Sequence, residues 1–178
     1  YFEERPSQIE LVKEISSAFN DESVGVFEAG TGVGKSFAYL IPSMLWAINN
    51  KERVVISTGT INLQQQLSEK DIPQAEKIIG KKVKSILVKG RQNYVCLRRL
   101  SEVGSERDLF SDETEIFDKI NAWAKESKTG SKSDLSFMPP ENLWQRVNSE
   151  ADACMGMRCK FREKCFVMKV RKDRKSVV

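Results

Sequence analysis

Histidine does not occur anywhere in this sequence. Its absence excludes every mechanism that turns on imidazole, including Ser-His-Asp triads, Cys-His proteases and His-based zinc hydrolases. No apolar run is long enough to cross a bilayer, and no charged-then-apolar leader opens the chain. The four cysteines include no CxxC pair, the usual signature of a zinc site. A membrane protein, a secreted disulfide knot and a disordered tail are thereby excluded. Residue 1 is tyrosine rather than methionine, so the expectation is a portion of a longer chain.

What is present is 178 residues with 40% hydrophobic content and a mean hydropathy of -0.43, enough to bury a core in one domain or two small ones. The formal net charge is +4, unevenly placed. Residues 81–99 hold seven Lys or Arg and no acid, and residues 154–178 hold nine basic and two acidic side chains. Two basic blocks favour a polyanionic partner, although a solvated surface has the same composition. Four cysteines without a secretory leader read as metal-binding, catalytic or buried rather than disulfide-linked.

The patterning predicts strands at residues 24–28 (VGVFE), 53–58 (RVVIST) and 85–89 (SILVK). Helices are predicted between and around them. One covers residues 9–19. A second follows residue 36, with Phe37, Leu40, Ile41, Met44, Leu45 and Ile48 on one face and Pro42 expected to bend it or disturb its first turns. A Gln-rich helix is predicted over 62–70, and another starts at Asp71-Ile72-Pro73 and stops at Gly80. Alternating strands and helices predict an α/β fold with a parallel sheet, and three strands leave that sheet incomplete. Beyond Gly90 the character changes. Residues 101–114 are polar and acidic, 115–125 suit one amphipathic helix, and 126–136 (ESKTGSKSDLS) read as a flexible loop.

Ala29-Gly30-Thr31-Gly32-Val33-Gly34-Lys35-Ser36 stands between the first predicted strand and the following helix, where a phosphate-binding loop belongs. Glycines let the backbone turn tightly and aim N–H groups at phosphate oxygens, and the helix N-terminus adds its positive end. Lys35 is expected on the β- and γ-phosphates of ATP or GTP, and the Ser36 hydroxyl on Mg2+. Only Ala29 departs from the strict GxxxxGK[ST] pattern. Upstream, Gln8 follows Arg5-Pro6-Ser7 at a helix start. Its amide both donates and accepts, which suits the N6/N7 edge of adenine, as it also suits plain solvent exposure.

Cys96 is followed, after fifty-seven residues, by Cys154-x4-Cys159-x5-Cys165. Three cysteines within twelve residues, among Met, Gly, Arg and Lys, suit thiolates wrapped around one inorganic centre. Wide spacing favours a [4Fe-4S] cluster over zinc, with four reduced structural cysteines as the third reading.

Together these features resemble the iron–sulfur helicases of superfamily 2, the XPD/DinG family, nearest its bacterial DinG-like branch. Arg5-Pro6-Ser7-Gln8 is similar to the family's Q-motif, and the segment from Glu28 to Ser36 to its motif I, where alanine at the Ala29 position is common. Ser57-Thr58-Gly59-Thr60, followed by Leu63 and Leu67, resembles motif Ia, which touches single-stranded DNA. Lys89-Gly90-Arg91-Gln92-Asn93-Tyr94-Val95-Cys96 resembles the segment carrying the first cluster ligand, and Cys154, Cys159 and Cys165 match the other three.

The resemblance implies an ATP-driven 5′→3′ DNA helicase using ATP, Mg2+ and a [4Fe-4S] cluster. Its partial RecA-like P-loop domain would carry an inserted small, mainly helical iron–sulfur domain. Residues 1–89 are then the first part of motor domain one, 90–170 the cluster domain and 171–178 the start of the return to the motor. Single-stranded DNA and forked or displaced DNA are the expected partners, together with the rest of the same helicase chain. The expected protein is a monomer in the bacterial cytoplasm, with no membrane contact. Candidate DNA contacts, besides residues 57–60, are Arg91, Arg98, Arg99, Arg158, Lys160 and Arg162. Tyr94, Phe161 and Phe166 are candidates for base stacking or plain packing, and Trp123 and Trp144 for the small domain's core. The family's Asp-Glu-Ala-His motif is absent, since the chain has no histidine. The expectation is therefore weak nucleotide binding at most, and negligible unwinding, from these residues alone. A non-catalytic redox-sensing DNA-binding module and an unrelated P-loop enzyme with a zinc clip are the rival readings.

Overall fold

The computed structural model describes residues 5–105 and 113–173. Among them, two compact units divide between Leu87 and Val88. Part of the polar stretch expected at 101–114, and most of the return segment expected at 171–178, fall outside the described residues. No described helix is long and apolar enough to cross a membrane.

The first unit contains α1 (Pro6–Asn20), α2 (Lys35–Asn50), α3 (Ile61–Gln66) and α4 (Ile72–Ile79). Pro6 opens α1 at a position where a missing N–H costs nothing. The side chain of Thr60 caps α3 by accepting from the Leu63 N–H at 3.3 Å. Gly80 ends α4 in the left-handed conformation, φ 72°. A π-helical turn, Leu67–Asp71, joins α3 to α4, so the two helices expected from sequence form one interrupted helical run. Pro73 explains the interruption, because it has no N–H for the regular ladder and the wider turn accommodates the gap. Pro42 lies inside α2 without ending it. It is buried on the face that carries Ala38, Leu40, Ser43 and Met44, and packing of that face holds the helix through the lost bond. The core gathers Leu40, Met44, Leu67 and Ala75, with Phe37, Tyr39, Leu63 and Ile72 around them. Phe19 of α1 stacks on Trp46 of α2 with ring centroids 5.4 Å apart.

None of residues 24–28, 53–58 and 85–89 is paired into a strand. Val24, Val26 and Val55 are 96%, 95% and 88% exposed, so the β-branched faces of two of these segments meet nothing. A parallel strand is stabilised by neighbours on both edges and cover on both faces, and the described residues supply neither.

The second unit contains α5 (Leu97–Ser105), α6 (Glu113–Glu126), α7 (Glu141–Val147) and α8 (Phe166–Asp173), with 3-10 turns before α5, between α6 and α7, and between α7 and α8. Its core is Tyr94, Val95, Leu100, Val103, Phe117, Ile120, Ala124, Leu143, Trp144, Val147, Phe166 and Val167. Trp144 is 1% exposed, its indole N–H donates to the Gln92 carbonyl at 2.9 Å, and Trp123 packs against the same core. Tyr94 and Phe166 are core residues rather than exposed platforms.

The segment expected as a flexible loop, 126–136, is a tied strap instead. Ser131 is 3% exposed and bridges Tyr94, and the Val95 N–H donates to the Gly130 carbonyl at 2.9 Å. Lys89 donates to Ser131, and Thr129 to Asp134. Composition reads such serines and threonines as solvated. Here they satisfy one another and the backbone, which composition does not encode.

Candidate functional site

The loop before α2 turns on two left-handed glycines. Gly32 and Gly34 lie at φ 79° and 85°, a region other residues adopt only with strain, and Gly34 caps α2. This arrangement turns the chain sharply into the helix N-terminus, where free N–H groups and the helix dipole attract anions. Lys35 folds back over its own loop, its Nζ donating to the Ala29 carbonyl at 2.8 Å and the Gly30 carbonyl at 2.9 Å. Thr31 and Val33 complete the loop, Thr31 exposed and Val33 half-buried. Ser36, one residue into α2, shares a hydrogen bond with Tyr39. Burial first, and the nearby Asp71 charge as well, push the Tyr39 hydroxyl above its usual range, against the Ser36 bond.

The segment opening α1 closes on this loop. Arg5 donates to the Gly32 carbonyl at 3.0 Å and Gln8 Nε2 to the Gly34 carbonyl at 3.0 Å. Gln8, singled out in the sequence for adenine, braces the glycine-rich loop in this structure. Nothing in the local sequence signals that second contact, which spans twenty-six positions. Of residues 57–60, Thr58 donates to the Thr60 carbonyl at 3.1 Å and Thr60 caps α3, forming a compact turn. Thr58 is half-buried, whereas Ser57, Gly59 and Thr60 reach solvent.

All four cysteines belong to the second unit, and all are free thiols. Cys96 is the most firmly placed. Its N–H donates to the Val147 carbonyl at 2.8 Å, between bonds that tie Val95 to Gly130 and the Ser149 N–H to the Tyr94 carbonyl. Cys154 is exposed, while Cys159 and Cys165 are half-buried at the ends of two 3-10 turns, Gly156–Arg158 and Arg162–Lys164. The Gly156 N–H chiefly, and then Arg91, hold the Cys154 thiol below its usual range, against partial burial. Among the described residues, no three His, Cys, Asp or Glu side chains stand close enough together to hold a metal ion.

The donor chemistry nonetheless suits a thiolate-bound centre. Besides the four thiols, the Nε atoms of Arg91 and Arg162 are buried without a hydrogen-bond partner. Buried donors without acceptors are rare, and here both belong to residues beside cysteines. Closing four sulfurs on one centre would fall to residues 154–165, which carry three of them on short turns.

The candidate DNA contacts divide by what their cations already hold. Arg98 pairs with Glu102 at 2.6 Å and donates to the Ala153 carbonyl at 2.7 Å, within the field of Cys96 and Cys159. Arg99 donates to the Asn148 and Gln145 carbonyls at 3.0 and 2.7 Å and pairs with Glu150 at 3.0 Å. These two arginines clamp α5 to the end of α7 and to the segment before Cys154. Arg158 and Lys160 are exposed, and Lys160 lies 5.1 Å from the centroid of the Phe161 ring.

No family model matches the chain. Curated relatives do. The ATP-dependent helicase DinG of Mycobacterium tuberculosis is 34% identical over 94% of this chain and 28% of its own length. The ATP-dependent DNA helicase YoaA of Escherichia coli is 34% identical over 96% of this chain and 27% of its own. A Bacillus subtilis protein named 3′-5′ exonuclease DinG is 31% identical over 85% of this chain and 16% of its own. The chain thus spans only about a quarter of the length of the two helicases. The chain is therefore similar, over nearly all of its own length, to one part of proteins named ATP-dependent helicases.

Proposed function

We propose that this chain forms part of the first motor domain and the cluster domain of an ATP-driven 5′→3′ DNA helicase of DinG type. The observation that carries the reading is the phosphate loop, with its two left-handed glycines and Lys35 poised at the mouth of α2, in a chain similar to proteins named ATP-dependent helicases.

On this reading Lys35 exchanges the Ala29 and Gly30 carbonyls for the β- and γ-phosphates of ATP. The loop N–H groups bind the same phosphates, and the Ser36 hydroxyl, which retains a lone pair beyond its Tyr39 bond, ligates Mg2+. Gln8 holds the loop in shape while its carbonyl oxygen reads the adenine amine. Hydrolysis further needs a carboxylate that orients water and an arginine that stabilises the transition state. The Asp-Glu-Ala-His motif that would carry the first is absent from these 178 residues. The chain by itself accordingly binds nucleotide and turns it over negligibly. Residues 24–28, 53–58 and 85–89 become strands of a parallel sheet when the remaining strands of a RecA-like domain lie beside them.

Cys96, Cys154, Cys159 and Cys165 would hold the [4Fe-4S] cluster, which supplies a rigid cross-link within the second unit and a one-electron redox centre. Single-stranded DNA meets the Ser57–Thr60 turn and the exposed cations Arg158 and Lys160 through its phosphates.

The test uses the longer helicase containing this chain. With ATP and Mg2+ it should unwind a duplex bearing a 5′ single-stranded tail and leave a 3′-tailed duplex intact. The reverse polarity, or ATP-independent degradation from a 3′ end, would refute the reading.

A further inference from the structure

We propose that Arg91 and Arg162 donate their Nε–H groups to sulfur of the centre held by the four cysteines, and so set its reduction potential. The inference rests on the cluster reading above and assigns these two arginines to the centre rather than to DNA.

The basis is a contrast among four arginines of one unit. The guanidinium groups of Arg98 and Arg99 are occupied by backbone carbonyls and carboxylates. Those of Arg91 and Arg162 each keep a buried Nε–H that meets no acceptor. A buried donor left unmade costs about 1–3 kcal/mol, and more in a charged group, so two in one small unit call for an acceptor. Both residues are tied to the cysteine-bearing segments. Arg91 lies near enough to Cys154 to help hold that thiol below its usual range. Arg162 is fixed between two cysteines by its backbone, its N–H donating to the Cys159 carbonyl at 3.0 Å and its carbonyl accepting from the Cys165 N–H at 3.2 Å.

Thiolate and sulfide are acceptors of the right charge. N–H···S bonds withdraw electron density from a cluster, and the added electron is better tolerated where positive donors are close. Arginine suits this role because its charge survives burial and its planar fork serves two acceptors at once.

The experiment begins with iron and sulfide analysis of anaerobically purified protein, then follows dithionite reduction in a mediated titration read by electron paramagnetic resonance. R91K and R162K keep the charge and remove the Nε donor. Each should lower the midpoint by the equivalent of about a tenfold change in the reduction equilibrium, about 59 mV for one electron. Wild-type protein grown on 15N-arginine provides a measurement independent of any variant, because pulsed spectra of its reduced centre should show coupling to 15N. If a variant loses its iron, this labelled sample decides the matter. Iron-loaded protein with no 15N coupling, or iron-loaded Lys variants with unshifted midpoints, would overturn the role of the two arginines while leaving the cluster intact. Wild-type protein devoid of iron and sulfide would instead remove the cluster reading itself.

Discussion

Gln8 Nε2 lies 3.0 Å from the Gly34 carbonyl, and a Cβ placed on Gly34 would stand 2.3 Å from that same nitrogen. A side chain at residue 34 would therefore push the Gln8 amide out of this bond. Gly34 is constrained twice, by φ 85° and by this contact.

Gly34→Ala should carry a left-handed conformational cost of about 1–2 kcal/mol and a clash besides. Pairing it with Gln8→Ala removes the clash and leaves the backbone cost. Thermal unfolding of the two single variants and the double variant should thus show the double less destabilised than the sum of the singles. Strict additivity would separate Gln8 from the loop.

Lys35→Ala removes the charged donor that now rests on Ala29 and Gly30. Charge-assisted bonds contribute about 1.5–3 kcal/mol, so affinity for Mg-ATP should fall roughly 10- to 100-fold by calorimetric titration. Iron content should not change, because the loop and the cysteines belong to different units.

Cys159→Ser is the converse. Iron and sulfide should be lost or degraded, and amide hydrogen exchange should accelerate across residues 88–173 while α1 and α2 keep their protection. Accelerated exchange in the phosphate loop would contradict the division into two sites.

Gly130 stands at φ 65° with the Phe166 ring 2.2 Å from where a Cβ would be. Gly130→Ala should destabilise the second unit by about 2–4 kcal/mol, combining left-handed strain with overpacking. Denaturant unfolding followed by Trp144 fluorescence reports this directly, since that indole lies in the same core.

Arg158→Ala combined with Lys160→Ala should weaken binding of a single strand irrespective of sequence. Two phosphate contacts fewer reduce the slope of log K against log salt by about 1.4. An unchanged slope would place the strand elsewhere.

The first unit's helices were legible because their signals are local. Pro6 and Gly80 mark ends, and the spacing from Phe37 to Ile48 marks one buried face. The π turn at Leu67–Asp71 was not, since it reconciles Pro73 with a continuous helical run only once both flanks are packed. Pairing of residues 24–28 is a long-range property that side-chain type does not decide. In the second unit, the strap at 126–136 looked mobile because its serines and threonines are polar, and its order comes from partners such as Lys89, some forty positions distant. Charge alone made Arg98 and Arg99 resemble Arg158. What distinguishes them is their acceptors, Glu102, Ala153, Gln145 and Asn148 among them, and only the tertiary structure supplies those. The glycine loop and the cysteine spacing were plain in the sequence, whereas the brace from Gln8 and the orphaned arginine donors were not.

The wedge of residues 94–96 between 130–131 and 147–149 has a bearing on biogenesis. A nascent chain emerging from the ribosome cannot seat its first cysteine until some fifty further residues have been synthesised, because the carbonyl that fixes Cys96 belongs to Val147. Cys154 follows seven positions after that carbonyl. The thiols thus become available for loading almost together, once residues 147–165 have been made, and an early, partly liganded intermediate has little time to form.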